Sequence, residues 1–579
     1  MTPELPLSDP ALPPGADLLA EGRADARDWR LGSCLFLQTE GVASEAAYKR
    51  REAAKGRIMQ HAHIGFRSVA RTTEAMAQLV ERAARHGARI DRFGVTLDWT
   101  MGYPPERRAR ATRGTGIVLD GPEDFARITN ASPAATHFGD FMLGLPGALH
   151  NTRAAIAAGA TAIGNLGQYF TFRLPYWDDD VATTCATVRA LGLIAAQEAE
   201  ILVHSNLDDG FAGLFLDMSS ALGMVIVEKY IVEDLIGAHA SFCFGHHYSN
   251  PLTRAAFHAA LARITDTPGS MIYGNTVAYQ GEASANYASL SNYLLADLIA
   301  LSRTHTGHAV TPIPVTENRR IPDVDEILDA QLFAARLAGH AAGHAALVDV
   351  ERIDGVADRL VDGGRRFAER ALAGLAERGI DTTDPAALML AIRRMGARRM
   401  EVLWGAGPRD GLSRRPLVAA DWAEELDRKA EDWAAPRADA ARGLRVVIGT
   451  TDVHEHGAYL VRAALERIGA EVTEAGIAID PETLVACAVV AEAQAIAISS
   501  YNGVGLGYVR AVQADLAARG LDLPVMIGGV LNEIPAESNS GLPVDVADQI
   551  RAAGALPCRS LDDMLPVLRA IATPAETAP

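Results

Sequence analysis

Asp452, His454 and Gly457 stand in the order D-x-H-x-x-G within "TTDVHEHGAYLVRAALERIGAEV", after an apolar run and at the start of a helical pattern. A histidine can ligate a metal through one ring nitrogen while a carboxylate fixes the other, so His454 is the expected ligand and Asp452 its orienting partner. Val453, Glu455 and His456 complete that loop. Two further loops follow later apolar runs: "SSYNGVG", with Ser499, Ser500, Tyr501, Gly503 and Gly505, and "GGV", with Gly528, Gly529 and Val530. Glycines there leave room for a bulky ligand tail beside a sheet, and Ser499 offers a hydroxyl to a heterocycle nitrogen. The alternative is a flavodoxin-like domain whose first loop happens to carry a histidine.

A second set of polar residues falls at the ends of β-rich runs upstream: His137, Asn165, Ser205, Asn206, Glu228, His246, His247, Asn275 and Glu317. Strand ends leave the core, so polar residues are expected there on general grounds. The set as a whole carries more weight than its members.

The elements that must position these residues form two patterns. From about residue 90, "RFGVTLDW", "AATHFGD", "TAIGNLG", "ILVHSN", "MVIVEK", "ASFCFG", "SMIYGN" and "HAVTPIPV" alternate with amphipathic or Ala-rich stretches. Eight β-then-α units predict an α/β fold of the (β/α)8 TIM-barrel type, whose active sites lie at the carboxyl ends of the strands. A doubly wound open sheet is the competing reading, because periodicity does not show closure. The segment from Gly443 onward predicts a Rossmann-like (flavodoxin-like) domain with five parallel strands, whose ligands bind outside the strand ends. The expected boundaries are an N-terminal helical extension over 1–85, the barrel with its C-terminal helices over 86–404, a linker over 405–442 and the last domain over 443–579.

The chain has 579 residues, a formal net charge of −18 and 22% charged residues. That length predicts two or three domains, and the acidic balance disfavours nucleic acid or an anionic membrane as partner. Its five cysteines are dispersed without a CxxC pair, which points to a reducing compartment. The Pro-rich, acidic start lacks a signal peptide's basic and apolar regions, and no run reaches the length of a membrane helix. A cytoplasmic location is expected.

The loops over residues 443 to about 572 resemble the cobalamin-binding module of vitamin B12-dependent enzymes. That resemblance implies that His454 replaces the cofactor's own base as lower ligand of cobalt, with the displaced nucleotide tail near Ser499 and the glycines. Tyr501 stands where the family's S-x-L pattern has leucine. Residues 90 to 400 resemble the catalytic barrel subunit of glutamate mutase. The match is carried by "AGATAIGNLGQYFTFRLPY", with Asn165, Gly167, Pro175 and Tyr176, by "ENRRIP" with Glu317, and by "GAHASFCFGHHYSN". In that family barrel and module are separate subunits; here they are fused.

The resemblance implies an adenosylcobalamin-dependent radical isomerase, a mutase that rearranges the carbon skeleton of a small organic acid or related metabolite, working as a homodimer. It implies that Glu317 holds the adenosyl ribose and that Tyr176 and His137 orient the substrate. Departures argue against glutamate itself. Leu166 stands where the family has its catalytic glutamate, Phe172 replaces one of two tyrosines, and Ile313 replaces a lysine. His137 stands in place of an arginine, and a site without arginine forks suits a dicarboxylate poorly. Arg173, His246, His247 and Glu228 are the remaining candidates for substrate contact. No pyridoxal phosphate is expected, since the only lysines are Lys49, Lys55, Lys229 and Lys429. Two other classes stay open: a corrinoid (methylcobalamin-dependent) methyltransferase, for which Cys243 with His246 and His247 is a thin zinc candidate, and a non-catalytic B12-binding protein.

Overall fold

The computed structural model describes residues 6–111, 114, 116–279, 281–411, 413–452, 454–501, 503–533 and 543–572. It divides into two compact units. One holds 6–171 and 179–421; the other holds 172–178 and 422 onward.

The first unit is built on eight parallel strands: β1 (Met59–Ile64), β2 (Arg92–Val95), β3 (Ala135–Phe138), β4 (Ala162–Ile163), β5 (Leu202–Asn206), β6 (His239–Cys243), β7 (Met271–Ile272) and β8 (Ala309–Val310). They run in the order β6-β5-β4-β3-β2-β1-β8-β7. The ring closes where Phe244, just past β6, bridges Ile272 of β7, with Ser270 N–H donating to Phe242 O at 3.0 Å and Tyr273 N–H to Phe244 O at 2.7 Å. The sheet is therefore a closed barrel, and the open-sheet alternative does not describe this unit.

One of the eight expected units is not a strand, and one strand lies outside them. "MVIVEK" is no strand but the end of the helix Met218–Lys229, which lies against the long helix Val350–Ala376, with Gly223 beside the ring of Phe367. Buried on almost every side, this helix shows no amphipathic period, and its run of branched apolar residues imitates a buried strand. The missing strand is β1, "MQHAHI", inside the stretch expected to be a helical extension. Its inward positions are histidines, so the apolar alternation that marks a strand is absent.

Those histidines fill the barrel. Side chains alternate between inside and outside along each strand. Phe138 faces outward onto Phe125 of the helix Pro122–Thr129, with ring centroids 4.9 Å apart, while His137 faces inward. The alternate strands β1, β3 and β5 send in His61, His137 and His204, whose rings meet edge to face at 6.3 and 4.2 Å. Glycines on the intervening positions make room: a Cβ on Gly94 would lie 2.6 Å from His61 Nε2, and one on Gly164 would lie 2.5 Å from His204 Cδ2.

The helix Glu45–Ala54 covers the amino ends of the strands. Lys49 Nζ donates to the carbonyls of Ser270 and Gly307 at 2.9 and 2.8 Å, and Glu45 Oε1 accepts from Arg92 Nε at 2.6 Å.

The second unit carries five parallel strands: β9 (Arg445–Thr450), β10 (Glu471–Gly476), β11 (Ala495–Ser500), β12 (Val525–Gly529) and β13 (Ala555–Cys558), in the order β10-β9-β11-β12-β13. Val447, Ile496, Ile498 and Ile527 pack on one face with Leu484 and Val509; Val446, Ile448, Ala497 and Met526 pack on the other with Leu465 and Ile468. Both faces are covered, which is why these strands read as continuous apolar runs. The strand order reverses between β9 and β11, and such a switch point is where doubly wound sheets bind ligands. Among the described residues, no helix is long and apolar enough to cross a membrane.

Candidate functional site

At the switch point of the second unit, Asp452 organises the loop after β9. It is 5% exposed. Its Oδ1 accepts from His454 Nδ1 at 2.6 Å and from His454 N–H at 3.0 Å; its Oδ2 accepts from Tyr501 N–H at 2.9 Å and from the Thr451 hydroxyl at 3.0 Å. Burial pushes this carboxyl up, but the hydrogen bond and charge of His454, with the two backbone N–H groups, outweigh it and hold the pKa below the usual carboxylate value. The imidazole of His454 is about one-third exposed, at 32%, and lies 4.3 Å from the ring of Tyr501.

The other loop residues fall around this pair. His456 opens the helix His456–Arg467 and stacks on Trp422 at 4.4 Å, so it anchors the loop to the helix Asp421–Ala434, in the stretch expected to be a linker. Glu455 precedes it, its carbonyl accepting from Tyr459 N–H at 2.8 Å. Val453 and its side chain lie outside the described residues. Gly457 is required by close approach: a Cβ would lie 2.5 Å from Ser499 Oγ, so that hydroxyl occupies the room a larger residue would fill. Ser500 Oγ is 3.0 Å from the Thr451 hydroxyl. Gly503 precedes, and Gly505 opens, the helix Gly505–Ala518. Gly528 and Gly529 pair with Ser499 and Ser500, and Val530 N–H donates to Ser500 O at 2.9 Å. Tyr176 and Arg173 belong to this unit as well. Tyr176 is 68% exposed and donates its N–H to Asp480 Oδ1 at 3.0 Å, and Arg173 Nη1 reaches Phe172 O at 3.2 Å.

The barrel unit gathers a second constellation at its carboxyl rim. Asn165, after β4, accepts from Asn206 N–H at 2.9 Å and donates from Nδ2 to Asp209 Oδ2 at 2.8 Å. Burial raises the pKa of Asp140, against a hydrogen bond from the same amide. Asp208 accepts the backbone N–H groups of His246 and His247 at 3.0 and 3.2 Å, and burial pushes its pKa up to about 6. The ring of His246 lies 5.9 Å from Tyr273 and 4.6 Å from His247, and the ring of His63 also lies 5.9 Å from Tyr273. Burial, then the charges of Glu317 and Asp140, push the Tyr273 phenol well above its usual pKa.

Asp140, Asp208, Asp209, Tyr273 and His63 are rim residues that sequence reasoning passed over. The signal for three was visible, since "SNLDDG" and "HFGD" put carboxylates just past strand ends; His63 was hidden with β1.

His137 is not at the rim. It is 2% exposed in the interior, and burial first, then the charge of Arg92, presses its pKa well below the ordinary imidazole value, as for His61 and His204. It is thus a neutral imidazole, suited to a hydrogen bond rather than to gripping a carboxylate by charge.

Glu228 needs correction too. It sits on the helix Met218–Lys229, behind the barrel wall, where Oε1 accepts from the outward-facing Ser205 hydroxyl at 2.9 Å. Burial pushes its pKa up to about 8. Because the folded state holds this proton more tightly than the unfolded chain, its contribution to stability is full below about 4.5 and is lost as pH rises through about 8. Glu228→Gln, which keeps the acceptor and cannot ionise, is expected to remove that decline; urea unfolding of both proteins at mildly acidic and mildly alkaline pH measures it. Lys229, on the same helix rather than ending a strand, pairs with Glu233 at 2.8 Å. Cys243 is wholly buried with its thiol pushed well above its usual pKa, and it forms no metal-holding group with His246 and His247 among the described residues.

With this geometry in hand, comparison with known proteins gives partial matches. No family model matches the chain. Over 146 residues it is 30% identical to ethylmalonyl-CoA mutase from Cereibacter sphaeroides. The chain is similar to part of a mutase. The match covers 25% of this chain and 20% of that enzyme, so the chain spans about a fifth of the relative's length. Among solved structures, a novel cobalamin-binding protein from Desulfitobacterium hafniense DCB-2 matches at 22% identity over 26% of this chain and 70% of that one, with a TM-score of 0.20.

Proposed function

We propose that the chain is an adenosylcobalamin-dependent isomerase that rearranges the carbon skeleton of a small substrate other than glutamate. The observation that carries this reading is the 2.6 Å hydrogen bond between Asp452 and His454 at the switch point of the second unit. With Nδ1 committed to the carboxylate, Nε2 is the nitrogen that ligation uses, and the carboxylate makes that nitrogen a stronger donor. The tight seat of Gly457 on Ser499 fixes the helix that follows the loop, and the partial exposure of His454 fits a residue that meets a large ligand. The 30% identity to ethylmalonyl-CoA mutase over part of the chain supports isomerase chemistry.

When bound, adenosylcobalamin supplies hydrogen-atom abstraction from an unactivated carbon. The protein's own residues do the rest. His454 would hold the cobalt, and Asp452 holds His454. In the barrel, Asn165, His246 and Tyr273 would bind and orient the substrate, and Glu317 would hold the adenosyl ribose. The closed ring of strands, filled by neutral imidazoles, keeps water from reaching the reacting carbon through the barrel.

The substrate class follows from charge. Arg92, a cation inside the barrel, is bound to Glu45, and Arg254, beside Tyr273, is bound to Asp297, while the rim presents Asp140, Asp209 and Glu317. Such a rim repels a dicarboxylate and favours a neutral or amine-bearing substrate.

The test is anaerobic incubation of the full chain with tritium-labelled adenosylcobalamin and a panel of candidate substrates, amines included. Exchange of tritium between the adenosyl group and one substrate is expected. Transfer of a methyl group from methylcobalamin to a thiol or amine acceptor, with no exchange, contradicts the proposal.

A further inference from the structure

Tyr501 stands where the resembling modules carry leucine, and its ring lies against the imidazole of His454, with centroids 4.3 Å apart and planes 32° from parallel. We propose that Tyr501 is a positioning residue for His454, holding the imidazole in the orientation that Asp452 selects. The proposal rests on the reading of His454 as a cobalt ligand.

The contact from Asp452 Oδ1 to His454 Nδ1 fixes one edge of the ring, at 2.6 Å, and this bond by itself permits rocking about its own axis. A flat neighbour against one face removes that motion. Tyr501 is tied to the same carboxylate: its backbone N–H donates to Asp452 Oδ2 at 2.9 Å, as the backbone N–H of His454 does to Oδ1 at 3.0 Å. One carboxylate therefore sets both the imidazole and the chain that carries the aromatic ring. The two loops are also joined directly, since β9 and β11 pair at Thr450 and Ser499, and Thr451 N–H donates to Ser499 O at 3.0 Å.

Packing of the core does not explain the residue. Tyr501 is 43% exposed, one of the few large apolar side chains left so open, while its neighbours Ser499 and Ser500 are buried. A leucine there would fill less of the imidazole's face and offer no plane. Aromatic pairs in such offset arrangements contribute beyond simple burial, enough for about a three- to ten-fold effect on an equilibrium that depends on the ring's orientation.

The experiment uses the full chain as wild type, Tyr501→Leu, Tyr501→Phe and His454→Gly, each titrated with cob(II)alamin. Affinity, the electron paramagnetic resonance spectrum of the bound cobalt and thermal unfolding of the cofactor-free protein are recorded. Tyr501→Phe is expected to match wild type, because the plane is kept. Tyr501→Leu is expected to bind about three- to ten-fold more weakly and to show a mixture of spectra with and without coupling to a histidine nitrogen, while unfolding as wild type does. Wild-type affinity and a fully coupled spectrum in Tyr501→Leu overturn the proposal, as does a Tyr501→Phe protein that behaves like Tyr501→Leu. Should wild type grown with 15N-labelled histidine keep the three-line splitting of a 14N ligand, or lack nitrogen splitting altogether, the assignment of His454 itself fails and this proposal with it.

Discussion

His454→Gly is expected to lower the affinity of the full chain for cobalamin by about 100-fold or more, the scale set by losses at metal-ligand shells. The variant is a clean one. Asp452, 5% exposed, loses one partner but keeps the backbone N–H of residue 454, the N–H of Tyr501 and the Thr451 hydroxyl. Its buried charge remains solvated by the protein, so the loop has no reason to unfold. The helix that follows is held independently, by the stack of His456 on Trp422 and by the seat of Gly457 on Ser499. Absorbance titration measures the change, and added imidazole should restore part of the binding because glycine leaves the ligand's place open. An unchanged dissociation constant would mean that the loop holds the cofactor some other way.

Glu45→Ala is the second large effect, and it falls on stability. Glu45, Lys49 and Arg92 are 1–2% exposed at the amino end of the barrel. Glu45 is the only anion in this trio, 2.6 Å from Arg92 Nε and 3.5 Å from Lys49 Nζ. Lys49 is already brought down to a pKa of about 8 by burial, with Glu45 opposing that loss. Removing the carboxylate leaves two buried cations facing each other. A broken buried pair costs about 3–5 kcal/mol, which for a unit of this size lowers the melting temperature by about 5 °C. Glu45→Gln, which keeps an acceptor for Arg92, should lose less. Calorimetry of the three proteins decides; a Glu45→Ala protein within about 1 kcal/mol of wild type would show that water reaches the trio and screens it.

What the sequence let one read, and what it hid, divides along burial. The second unit was legible because its strands are apolar on both faces and its loops carry residues of unusual type at strand ends, from Asp452 through Ser499 to Gly528. The barrel was legible as a count of eight, yet one member of that count was a helix. Met218–Lys229 is buried on nearly all sides and lost the period that distinguishes helix from strand. β1 escaped for the opposite reason. His61 and His63 occupy the inward positions where apolar residues were sought. Glu228 followed the first error, since placing it at a strand end put it on the rim, whereas it lies behind the wall on Ser205. The rim's carboxylates were in plain view, but a single Asp after a strand is common; only the shared amide of Asn165, with Asp209 on one side and Asp140 on the other, marks them as a group.

The central claim is that the imidazole of His454 binds cobalt. Electron paramagnetic resonance of cob(II)alamin bound to protein grown with 15N-labelled histidine tests it most directly, because the nitrogen splitting of each cobalt line reports which nucleus sits on the axial bond. The account predicts the three-line splitting of a 14N ligand with unlabelled protein and two lines with the labelled protein. Three lines in both would mean that the cofactor keeps its own base and that His454 does something else.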